Sequence, residues 1–127
     1  MVTVSQLMRR NLISVQPGTS VADAAKVMRE RQIGSVFVKQ SQRIVGIVTE
    51  PDIVRKVVGA DLPPRGLVVE EIMSAPVVGI EETRPITEAA DLMEQHRTRH
   101  LAVMKSGIII GILSVRDLLH PVSIDEF

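Results

Sequence analysis

The sequence has no cysteine, no tryptophan and no tyrosine, and only two phenylalanines. Without cysteine there are no disulfides and no thiolate metal sites, which fits a reducing compartment. With so few aromatic side chains the chain lacks the stacking platforms on which single-stranded nucleic-acid binders hold bases. An excess of either charge is missing too: 15 basic and 15 acidic side chains cancel. No long-range field therefore gathers phosphate backbone or anionic lipid, and any anion site must be local. No apolar run approaches the roughly 18 to 20 residues of a membrane span, and MVTVSQLMRR has no signal-peptide apolar core. The expectation is a soluble, cytoplasmic protein without membrane or nucleic-acid partners.

What is present is largely aliphatic, with 45% hydrophobic residues. A chain of 127 residues suits one compact module that buries about two-thirds of its unfolded surface. Its organisation follows from an internal repeat. IVGIVTEPDIV (Ile44 to Val54) is written again as IIGILSVRDLL (Ile109 to Leu119), 65 positions downstream. Gly46 answers to Gly111, Thr49 to Ser114 and Asp52 to Asp117. At the same offset VSQLM (Val4 to Met8) matches VEEIM (Val69 to Met73), and Ala24, Ala25 and Met28 match Ala89, Ala90 and Met93. The expected division is a first repeat at 1–60, a linker at 61–67 overlapping the Pro- and Gly-containing GADLPPRG (Gly59 to Gly66), a second repeat at 68–120 and a tail at 121–127.

Each copy reads as a short helical turn (Val4 to Met8), a short strand (Leu12 to Val15), a helix (Val21 to Arg31) and two strands (Ser35 to Lys39, Ile44 to Thr49) joined by a polar hairpin. Ser20 with Asp23 resembles a capping box, and Val21, Ala24, Ala25 and Met28 give the helix one apolar face. A corner helix from Glu50 to about Val58 closes the unit. The second copy repeats this with a strand at Val77 to Ile80, a helix at Ile86 to His96, strands at His100 to Met104 and Ile108 to Ser114, and a corner helix at Val115 to Leu119 ended by Pro121. The fold class is α+β, with tandem pseudo-twofold βαββα repeats expected to pack sheet to sheet and leave clefts between them.

The repeated corner supports two readings. Thr49 with Asp52, and Ser114 with Asp117, are spaced as N-cap and N3 of capping boxes, and Pro51 is tolerated in a first helical turn. Equally, a helix N-terminus offers free N–H groups to an anion, and an acid in its first turn can accept both hydroxyls of a ribose. Spacing alone leaves both open.

The order of elements, their tandem copying and the corners GIVTEPD and GILSVRD resemble the cystathionine β-synthase (CBS) domain pair, or Bateman module, from about Val4 to Leu119. The leading motifs QLM and EIM, followed by LISV and VVGI, belong to the same pattern. The resemblance implies a regulatory module that binds AMP, ADP, ATP or S-adenosylmethionine, needs no cofactor and works as a homodimer or on a separate regulated protein. It places ribose hydroxyls on Asp52 and Asp117 and phosphates near Thr49 and Ser114. Adenine would border Ile13 and Val78, with Leu12 and Val77 beside them, although core packing is an equal explanation of these residues. It also implies that basic residues before the second strand reach the ligand held by the other copy's acid. RTRH stands there in the second copy and QIGS in the first. Arg99 and His100, joined by Arg116, would then favour phosphates at Asp52, through charge-assisted hydrogen bonds of roughly 1.5 to 3 kcal/mol each. The expectation is one stronger site at Asp52 and a weaker or empty one at Asp117.

Other readings are narrower. Arg97, Arg99 and His100 also suit a solvated edge, Arg9 and Arg10 read as plain surface, and His120 as exposed near the tail. His96 and His100 are four apart, but the helix ends near His96 and no third ligand is close, so no metal is expected. Neither a nucleophile–base pair nor a phosphate-binding glycine loop appears, so an enzyme is not expected. The remaining alternatives are a ligand-free dimerisation or docking scaffold and an S-adenosylmethionine module, the latter disfavoured because that ligand is itself cationic.

Overall fold

The computed structural model describes residues 1–119, so the expected tail, Pro121 and His120 lie outside the described residues. In chain order the first elements are α1 (Val4–Leu7), β1 (Ser14–Val15), α2 (Val21–Arg31), β2 (Ser35–Gln40), β3 (Arg43–Thr49) and α3 (Glu50–Ile53). There follow a π-helical turn (Val54–Val58), a 3-10 turn (Val69–Glu71), β4 (Gly79–Glu81), α4 (Ile86–His96), β5 (His100–Lys105), β6 (Ile108–Ser114) and a second 3-10 turn (Val115–Leu119). The expected α+β class holds, with two three-stranded sheets.

The two compact units do not coincide with the two sequence copies. One unit is residues 13–77, and the other is residues 1–12 together with the described residues from 78 onward. Each copy's leading segment is built into the unit of the other copy. The apolar side chains make this concrete. Val69 and Ile72 belong to the core formed by Val21, Ala24, Met28, Val36, Val38, Val48 and Val57. Val4, in turn, belongs to the core of Ile80, Ala89, Met93, Leu101, Val103 and Leu113. A fully buried valine contributes about 1.5 to 3 kcal/mol, so each unit holds its exchanged segment by burial of that order.

Within each unit the sheet is copied in detail. β1 runs parallel to β2 and β2 antiparallel to β3, while β4, β5 and β6 repeat this order. Val38 faces Gly46 and Val103 faces Gly111, and the register shifts immediately afterwards in both hairpins. Beneath each sheet lies one amphipathic helix. α2 starts where the Ser20 hydroxyl accepts the Asp23 N–H and stops at Gln32, whose left-handed backbone (φ 55°) ends the helical hydrogen bonding. α4 stops in the same way at Arg97 (φ 52°). Both helices turn an Ala and a Met of the repeated pattern into the core.

The corner helices differ from the uniform helix expected after each corner. α3 gives way at Val54 to a wider π turn closed by Gly59 N–H donating to the Val54 carbonyl at 2.6 Å. A Cβ on Gly59 would lie 2.9 Å from that oxygen, so glycine permits the closure. After β6 the corner is a tighter 3-10 turn.

The exchanged segments cross the edges of the sheets at the repeated glycines. Arg9 and Ile112 exchange backbone hydrogen bonds of 2.9 Å, and Ser74 and Ile47 do so at 2.8 and 3.1 Å. A Cβ on Gly111 would meet the Arg9 carbonyl oxygen at 2.6 Å, and one on Gly46 would meet Met73 Sδ at 2.5 Å. The first neighbour is backbone held by hydrogen bonds; the second is the movable end of a side chain. Gly111→Ala is therefore expected to cost about 1 to 3 kcal/mol and Gly46→Ala less. Denaturant unfolding of the two variants checks the order.

Candidate functional site

Thr49 ends β3 with extended backbone and Glu50 begins α3, so strand becomes helix at a single residue. The Thr49 N–H and hydroxyl both donate to Asp52 Oδ2 at 3.0 Å, and the Asp52 N–H donates to Thr49 Oγ1 at 3.3 Å. This complete capping box fixes the Asp52 rotamer. Asp52 Oδ1 meets Lys56 Nζ at 3.0 Å and the Ser74 hydroxyl at 3.3 Å. Lys56 also donates to the Ile72 carbonyl at 2.9 Å. The Asp52 side chain keeps 10% of its surface open.

The corner at Asp117 is built alike but covered differently. The Ser114 N–H and hydroxyl donate to Asp117 Oδ2 at 2.8 and 3.1 Å. Arg9 Nε donates to Oδ1 at 3.0 Å, across 108 positions of sequence. The Asp117 side chain is 2% exposed, whereas that of Arg9 is half exposed. Burial of a carboxylate costs free energy unless donors surround it, and Arg9 and Ser114 supply them.

Arg9, read from sequence as plain surface, is thus corrected to an ion-pair partner; Arg10 is exposed. The exchange of leading segments is the cause, because it brings residue 9 to the corner of the downstream copy. Ser74 is its counterpart at the repeat offset and reaches Asp52 in the same way. Sequence reasoning missed Arg9, Ser74 and Lys56 as neighbours of the corner acids. The offset, applied to the residue after each leading Met, would have paired Arg9 with Ser74. It would not have said which corner each one visits.

The other expected site residues divide by unit. Ile13 and Val78 lie just before β1 and β4, half-buried against the cores of their own units. Their carbonyls accept the N–H groups of Phe37 and Ala102. Arg99 and Arg116 are exposed, and the Arg99 carbonyl accepts the Val115 N–H at 2.9 Å, tying the start of β5 to its own corner. His100 is half-buried as the first residue of β5. His96 ends α4, so the left-handed Arg97 separates the two histidines into different elements. Among the described residues no group of three or more His, Asp or Glu is placed to hold a metal ion, and no helix is long and apolar enough to cross a membrane.

Chemically, each corner presents a carboxylate with one oxygen held by the preceding hydroxyl residue and the other facing a cation, Lys56 at Asp52 and Arg9 at Asp117. Such a group, when ionised, accepts hydrogen bonds only.

Two α+β units with this repeated strand-to-helix corner define the class, and the comparisons agree. The CBS domain family model matches residues 4–59 and 69–123, and the chain belongs to that family. It is 41% identical over 91% of its length to an uncharacterized 17.7 kDa protein of Acidianus ambivalens, of which it covers 70%. It covers only 61% and 62% of two methanogen relatives, from Methanopyrus kandleri and Methanocaldococcus jannaschii. Among solved structures it resembles a putative signal-transduction protein with CBS domains from Burkholderia ambifaria, at 38% identity and a TM-score of 0.91 over 99% of this chain and 97% of that one. A CBS domain protein from Pyrobaculum aerophilum complexed with AMP is similar at 28% identity and a TM-score of 0.82, over 94% and 92% of the two chains.

The cap contribution is separable from any binding role. Thr49→Val keeps the shape and removes the hydroxyl, and is expected to destabilise the fold by about 1 kcal/mol. Ser114→Ala removes the hydroxyl bond to Asp117 and should cost about 1 kcal/mol, both costs being read from chemical unfolding.

Proposed function

We propose that the chain is a regulatory, non-catalytic module that binds an adenine nucleotide (AMP, ADP or ATP) and passes its ligand state to a homodimer or to a separate protein. The observation that carries this is the Asp52 carboxylate: fixed by Thr49, partly open, and held on Oδ1 by a lysine and a long hydroxyl contact. The AMP complex of the Pyrobaculum relative supports adenosine as the ligand class. Ribose hydroxyls replace the Ser74 and Lys56 donors on Asp52, while Thr49 continues to hold the other oxygen. Arg99 and Arg116 are exposed cations, with His100 beside Arg99 in sequence; the family resemblance, not their placement, offers them to phosphate. Transmission is linkage: a ligand that binds one arrangement of the protein more tightly than another shifts the population toward the first.

A second reading has its own support. Thr49 and Lys56 at Asp52, and Ser114 and Arg9 at Asp117, satisfy both acids without any ligand, and Val54 and Val58 are 60% and 65% exposed one turn apart. A ligand-free scaffold that docks through this apolar face accounts for both facts.

Calorimetric titration of nucleotide-stripped protein with AMP, ADP, ATP and S-adenosylmethionine separates them. Saturable binding of a nucleotide, lost in Asp52→Ala and weakened about tenfold or more in Arg99→Ala, is expected. Absence of binding by all four ligands would leave the scaffold.

A further inference from the structure

The two corners differ most at one pair of equivalent positions. Arg9 and Ser74 each lie on a leading segment that bridges the last strand of a unit, and each turns its side chain onto the corner acid. Ser74 offers a neutral hydroxyl at 3.3 and 3.4 Å, and the acid beside it keeps 10% of its side-chain surface open. Arg9 offers a permanently charged guanidinium at 3.0 Å, and its acid keeps 2%. The backbone of Arg9 is fixed by two hydrogen bonds to Ile112, so the guanidinium is delivered from a held position.

We propose that Arg9 is a built-in competitor for ligand at the second corner: its guanidinium occupies the Asp117 oxygen that a ribose diol would take, which leaves Asp52 as the principal binding acid. This inference rests on the reading of the corner acids as ribose acceptors. The physical reason is an exchange of partners. A diol entering at Asp117 must replace a charge-assisted bond to a nearly buried carboxylate with neutral hydroxyl bonds, and the second are weaker. At Asp52 the diol displaces a long hydroxyl contact and a lysine. That lysine already has a second acceptor, the Ile72 carbonyl, to hold it once the carboxylate is taken. Arg9 therefore sets stoichiometry, and the identity of the residue after the leading Met tells an open corner from a closed one.

The test places the other copy's residue at position 9 and titrates with AMP. Wild type is expected to bind one AMP per chain and Arg9→Ser a second. At Asp117 the gain in affinity from Arg9→Ser is expected to be about ten- to hundredfold, the worth of one charge-assisted hydrogen bond. The double variant Arg9→Ser, Asp52→Ala should retain one AMP when Asp52→Ala alone retains none, which locates the new site. Thermal unfolding of every variant verifies the fold. If Arg9→Ser folds and binds no more than wild type, or binds less, the competitor role is overturned while nucleotide binding at Asp52 stands. If neither wild type nor any variant binds AMP, the ribose reading itself falls and this inference with it.

Discussion

The crossing of each leading segment over a glycine on the last strand of a sheet is the constraint on which the rest depends. At Gly111 the backbone of Arg9 leaves no room for a side chain, and at Gly46 a side chain would have to displace that of Met73, because the Met8–Arg9 and Met73–Ser74 segments lie against the strand. Those segments pair with Ile112 and Ile47 through reciprocal backbone bonds. This closes one edge of each sheet, brings Val4, Val69 and Ile72 into the cores, and carries Arg9 and Ser74 to the corner acids. Fold, core and candidate site share one geometric origin.

A consequence is that neither unit is complete within its own sequence copy. The core around Val21, Met28, Val36 and Val48 takes Val69 and Ile72 from the second copy, and the core around Leu101 and Leu113 takes Val4 from the first. A unit of this size has few apolar side chains to bury. Borrowing one or two buried residues from the other copy enlarges each core.

The corners show how one set of atoms can serve structure and, on the proposed function, recognition. Thr49 with Asp52 and Ser114 with Asp117 use one carboxylate oxygen to hold the strand-to-helix corner, which leaves the other oxygen for a charged or hydroxyl partner. A cap locks the acid into one rotamer, so a ligand meets a carboxylate that has no side-chain freedom left to lose. Capping and binding are therefore compatible uses of the same residue, and the spacing that encodes one encodes both.

Much of this was legible in the chain. The offset of 65 between GIVTEPD and GILSVRD gave the internal repeat, though not the exchange of leading segments between its copies. The periodicity of Val21, Ala24 and Met28 gave α2, and the same period gave α4, because hydrophobic spacing is a local property written directly in sequence. The hydroxyl–acid pairs were legible for the same reason, since a capping box spans only four residues. Arg9 was not legible. Its partner lies 108 positions away, and its role arises only when the leading segments exchange, a packing choice that no local pattern encodes. Sequence alone determined the repeat, the elements and the two corner acids; the tertiary structure decided which residue covers each acid, because side-chain neighbours across a fold are set by the core that the distant segments share.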